Sequence, residues 1–176
     1  MTIISVTPGK NNVGAYIGNI NLNKLEDTPL KKIKETLNRY GVIFIKKQNL
    51  DSETYQNFAK KFGELVAYPR LKGLENYPFI NAIIRKPDDK NLTFGGSFFH
   101  NDNPYSGKDR PKFTMLYGVE IPVGQGNTIF SSGFNAYEKL PEDIKDKIKN
   151  AIGVFSSEGK ISITRIEREK EMGIKS

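Results

Sequence analysis

Apolar positions along this chain change period several times, and each change marks an element. Residues 3–6 and 15–20 alternate and read as two short strands, separated by Pro8-Gly9 and an Asn/Gly-rich connection. Thr28-Pro29 is a helix start, threonine as N-cap and proline in the first turn. Leu30, Ile33, Leu37 and Tyr40 then recur at steps of three and four, one buried helix face, and Gly41 ends it. Residues 42–45, Val-Ile-Phe-Ile, form a continuous β-branched run that predicts a strand buried on both faces. Asp51 caps a second helix with Tyr55, Phe58, Ala59 and Phe62 on its apolar face and Gly63 at its end.

Beyond Gly63 the pattern predicts a loop over 69–78, a strand over 79–84 and a polar turn over 87–91. Further strands are expected at 113–121 and 128–131, joined by the Pro-Val-Gly-Gln-Gly-Asn turn of 122–127. Residues 133–140 and 141–150 read as helices, the second turning Ile144 and Ile148 inward. Residues 156–176 are polar and highly charged, a tail that reads as a loop or exposed helix. Residues 1–155 are expected to form one domain.

Composition narrows the picture. Of 176 residues, 37% are hydrophobic and 27% charged, enough apolar material for a packed core and against whole-chain disorder. No apolar run is long enough to span a membrane, and residues 1–5 do not start a secretory signal. The absence of cysteine excludes disulfides and thiolate metal sites and fits a cytoplasmic protein. A net charge of +7 suits either a nucleic-acid binder or an enzyme with an anionic substrate. The lysines are spread along predicted helices without interleaved aromatics, which disfavours nucleic acid.

Candidate chemistry lies at His100, the one histidine in the chain. With Asp102 it forms His-x-Asp, and in an extended segment such a pair projects from one face. Non-haem Fe(II) oxygenases hold iron on two histidines and one carboxylate, so this pair supplies two of the three ligands. A lone His-x-Asp is more often structural, and Phe98 and Phe99 beside it read as core.

Several segments together resemble the taurine dioxygenase-like (TauD/TfdA) family of Fe(II)- and 2-oxoglutarate-dependent oxygenases. They are Ala15-Tyr16-Ile17-Gly18, Gly41-Val42-Ile43-Phe44-Ile45, the helix ending Phe62-Gly63-Glu64, Phe99-His100-Asn101-Asp102, and Gly126-Asn127-Thr128 running on to Ala136-Tyr137. The resemblance implies an α+β, mainly β fold: a cupin-like double-stranded β-helix, or jelly roll, with flanking helices. It implies His100 and Asp102 as metal ligands, Thr128 on the 2-oxoglutarate carboxylate, and Tyr68 and Asn103 facing substrate. It further implies Fe(II) as cofactor, 2-oxoglutarate and dioxygen as co-substrates, and a small organic substrate, for which the basic balance favours an anionic one.

This chain departs from the pattern at Gln125-Gly126-Asn127-Thr128, where family members commonly read Gly-Gly-Asp-Thr. The family's distal histidine and 2-oxoglutarate-binding arginine have no counterpart here, so the expectation is a C-terminally incomplete oxygenase with low or absent activity. Unfinished sheet edges would favour a homo-oligomer. Two alternatives stay open: a non-catalytic binding or assembly protein on the same scaffold and, ranked last, a basic nucleic-acid module.

Overall fold

The computed structural model describes residues 3–68, 71–86 and 99–156. The expected turn at 87–91, the approach to the site over 94–98 with Phe98, and the charged tail from 157 onward lie outside them. Contacts divide the chain into two compact units, Met1–Thr54 with Leu116–Gly153 and Tyr55–Met115 with Val154–Ser176.

The first unit is built on β1 (Ser5–Pro8), β2 (Ala15–Gly18), α1 (Asp27–Tyr40) and β3 (Ile43–Ile45). β1 pairs antiparallel with β2, Val6 opposite Ile17, and β2 pairs parallel with β3, Ala15 opposite Ile43. A parallel pair needs a long crossover, and α1 supplies it. The core lies where this helix meets the sheet: Ala15, Ile17, Leu22 and Ile33 are buried. Gly14 (φ +74) precedes β2, and a Cβ there would stand 2.9 Å from the Phe44 ring, so glycine is required.

α1 shows the expected face, with Ile33 buried and Leu30, Leu37 and Tyr40 partly so. Its start differs from the expectation: the N-cap is Glu26, and Thr28-Pro29 lies within the first turn. Gly41 closes it in the left-handed conformation, its N–H donating to the Leu37 carbonyl at 2.8 Å. β3 is only partly buried rather than covered on both faces. Gln48 then ties the chain back: its Nε2 donates to the Ile20 carbonyl at 3.0 Å and its Oε1 accepts from Leu22 N–H at 2.9 Å.

Later in this unit, α3 (Gly133–Glu138) and α4 (Glu142–Ile148) match the predicted helices. Ser132 caps α3 by accepting from Asn135 N–H at 3.2 Å. Ile144 is partly buried, but Ile148 is exposed, contrary to its expected inward position.

The second unit takes up the chain from Tyr55, within α2 (Ser52–Lys60). Phe58 is buried, and Phe58, Phe62 and Phe113 form an edge-to-face series with centroids 5.2 and 6.0 Å apart. Tyr55 Oη donates to the Met115 carbonyl at 2.7 Å. Gly63 sits at φ +146, three residues past the helix.

Three expected strands are absent. Residues 79–84, 113–121 and 128–131 form no ladder, and Ile83, Ile84, Leu116, Val119, Ile121 and Ile129 are exposed. Alternation alone does not make a strand, because the backbone needs a neighbour to bond. Among the described residues the one sheet has three strands, order β1-β2-β3, and supplies none of the further strands a double-stranded β-helix requires.

Candidate metal centre and its family

His100 and Asp102 both belong to the second unit, and their side chains approach each other. His100 Nε2 lies 3.4 Å from Asp102 Oδ1, with the side chains 46% and 51% exposed. That separation is long for an N–H···O hydrogen bond, which favours about 2.7–3.2 Å. It is close to the roughly 3 Å that separates two ligands at right angles on one ion, each about 2.1 Å from the metal. An imidazole nitrogen and a carboxylate oxygen are also the donor types that Fe(II) takes. The pair therefore fits two adjacent protein positions of an iron site. Among the described residues no group of three or more His, Cys, Asp or Glu side chains is placed to hold a metal ion.

Phe99, expected in the core, is exposed next to His100. After Asp102 the chain reverses. Asn103 is left-handed (φ 49, ψ 38) and opens a 3-10 helix, Pro104–Asp109, with proline in its first turn. Ser106 N–H donates to the Asn103 carbonyl at 3.2 Å, and Tyr105 Oη donates to Asn103 Oδ1 at the same distance. Tyr105 was missed by sequence reasoning. The turn signal Asn103-Pro104 is visible, but an i,i+2 tie from a tyrosine has no sequence signature.

Tyr68 is half-buried in this unit, on the loop that follows Phe62-Gly63-Glu64. An open groove of about 530 Å³ lies on the same unit, lined by Lys60, Gly63, Glu64, Leu65 and Phe79. Thr128 belongs to the first unit and is exposed in a segment without regular structure.

The chain matches, over residues 5–172, the family described as "Taurine catabolism dioxygenase TauD, TfdA family". It belongs to that family. It is 26% identical over 157 residues to the "Alpha-ketoglutarate-dependent sulfate ester dioxygenase" of Pseudomonas putida, covering 88% of this chain and 50% of that protein. It is 28% identical over 148 residues to the "Alkylsulfatase" of Acinetobacter baylyi, covering 83% of this chain and 45% of that one. A taurine dioxygenase structure from Burkholderia xenovorans overlaps 47% of this chain and 31% of its own, at 27% identity and a TM-score of 0.42. The chain spans about half the length of the TauD/TfdA relatives it matches. No helix among the described residues is long and apolar enough to cross a membrane.

Proposed function

We infer that this chain carries the His-x-Asp half of an Fe(II)- and 2-oxoglutarate-dependent dioxygenase that oxidises a small organic substrate bearing an anionic sulfur group. The observation that carries the reading is the 3.4 Å approach of His100 and Asp102 in a chain of this family. When bound, iron with 2-oxoglutarate activates dioxygen for attack on an unreactive C–H bond. His100 would hold the ion through an imidazole nitrogen and Asp102 through a carboxylate oxygen. Thr128 is assigned to the 2-oxoglutarate carboxylate, and Tyr68 and Asn103 to the substrate. The fold assigned to the whole enzyme is the jelly roll. Two matched relatives, named a sulfate ester dioxygenase and an alkylsulfatase, together with the net charge of +7, support an anionic substrate.

A non-catalytic binding protein on the same scaffold is the second reading. The apolar side chains exposed at Leu116, Val119, Ile121 and Ile129 favour it. Anaerobic titration with Fe(II) and 2-oxoglutarate separates the two. The enzyme reading expects a visible absorption band that His100→Ala and Asp102→Ala both lose. Identical spectra for wild type and His100→Ala would remove it.

A further inference from the structure

We propose that Tyr105 and Asn103 are positioning residues for the metal carboxylate: the tyrosine hydroxyl clasps Asn103 and so holds Asp102 beside His100. This rests on the metal reading of the pair and adds residues to it that touch neither ligand's donor atoms.

Three observations point the same way. Asn103, directly after Asp102, is left-handed at φ 49, ψ 38. Asparagine visits that region more readily than most residues. Yet it precedes Pro104, and a following proline narrows the preceding residue to extended conformations. Such a sparsely populated backbone persists only where its surroundings over-determine it.

The surroundings here are two hydrogen bonds to the same residue. Ser106 N–H binds the Asn103 carbonyl and Tyr105 Oη binds its side-chain oxygen, each at 3.2 Å. The main-chain bond is the first of the 3-10 helix and depends on the backbone of residue 103 staying where it is. The side-chain bond needs both an acceptor at 103 and a hydroxyl at 105.

Anchorage decides what gives when the clasp is lost. Pro104, Tyr105 and Ser106 are all half-buried, whereas Asn101 and Asp102 are exposed. Relaxation of Asn103 toward the extended region is thus absorbed upstream, at the exposed side. The residue that moves is Asp102, whose carboxylate then leaves the 3.4 Å approach to His100.

The test uses the full chain with Mn(II), a paramagnetic ion of suitable ligand preference, titrated and read by electron paramagnetic resonance. Variants are Tyr105→Phe, Asn103→Gly, which keeps access to the left-handed backbone but has no acceptor, and their combination. His100→Ala and Asp102→Ala are controls. Each clasp variant is expected to bind Mn(II) about fivefold more weakly, the worth of one ordinary hydrogen bond. The double variant should lose no more through this pair than either single, because the same bond is lost in each case. Ser106 amide exchange, followed without metal, should quicken in Tyr105→Phe.

If Tyr105→Phe binds Mn(II) like wild type while His100→Ala does not, the clasp proposal is overturned and the metal reading stands. Faster Ser106 exchange with unchanged Mn(II) affinity gives Tyr105 a merely local structural role and likewise overturns positioning. Fold-losses that multiply in the double variant refute the pairing of the two side chains. Indistinguishable titrations of wild type and His100→Ala overturn the metal reading itself, and positioning with it.

Discussion

Residues 5–45 and residues 116–131 sit in the same unit and carry similar apolar material, yet they end in opposite states. In the first stretch, β1, β2 and β3 pair, α1 covers them, and Ile33 is completely buried (0% exposed). In the second, Val119 is 86% and Ile129 76% exposed, and no ladder forms. Local pattern was adequate in both. What differs is the supply of backbone partners and of a covering helix.

The second stretch is held by side chains instead. Tyr117 Oη donates to the Gln48 carbonyl at 3.2 Å and accepts from Leu50 N–H at 3.1 Å. Phe130 packs edge-on against Phe44 of β3, with centroids 5.7 Å apart. These are point tethers, each worth little beside a ladder that pairs every second residue and buries a face. A segment held this way opens at lower cost than the sheet does.

The sharpest way to break this contrast is truncation on both sides of it. Ile33→Ala removes three carbons from a closed site and is expected to cost about 3 kcal/mol in chemical denaturation. Val119→Ala should change stability by less than about 0.5 kcal/mol. Equal costs would mean that residues 116–131 are packed in solution.

Tyr117→Phe comes next. It removes the acceptor for Leu50 N–H and the donor to Gln48, and should cost about 1–2 kcal/mol. Its readout is faster amide exchange at Leu50 and across 116–131, with residues 15–18 unchanged. A uniform change over the whole unit would show that the tether belongs to the core.

A third test is one of pH and concerns the other unit. Burial pushes the Tyr55 hydroxyl from its ordinary value of 10 up to about 12. The fold thus favours the protonated phenol, whose bond to Met115 is 2.7 Å. Its stabilisation is complete below pH 10 and is lost as pH rises toward 12. Tyr55→Phe should flatten the alkaline limb of the stability profile. An unaltered limb would place the Tyr55 hydroxyl in water.

Much of the first unit was legible because its signals are local. The 3–4 spacing of Leu30, Ile33, Leu37 and Tyr40 needs only a helix to make sense, and Gly41 stops it for a reason internal to the backbone. The helix start was misplaced by two residues because Thr28-Pro29 fits the first turn as well as it fits a cap. At the site, His100 and Asp102 could be paired from spacing alone, since i and i+2 share a face. Tyr105 could not, because its contact depends on Asn103 being left-handed, a state that Pro104 argues against.

By itself, then, the sequence determined the helices, the β2–β3 core, the family and the His-x-Asp pair, all of which follow from neighbours within a few residues or from motif order. Tertiary structure alone decided that residues 113–121 and 128–131 join no ladder, and that Asn103 is clasped. The physical reason is the same in both cases. A ladder or a side-chain tie exists only where a second group, chosen by the fold, arrives within hydrogen-bond reach.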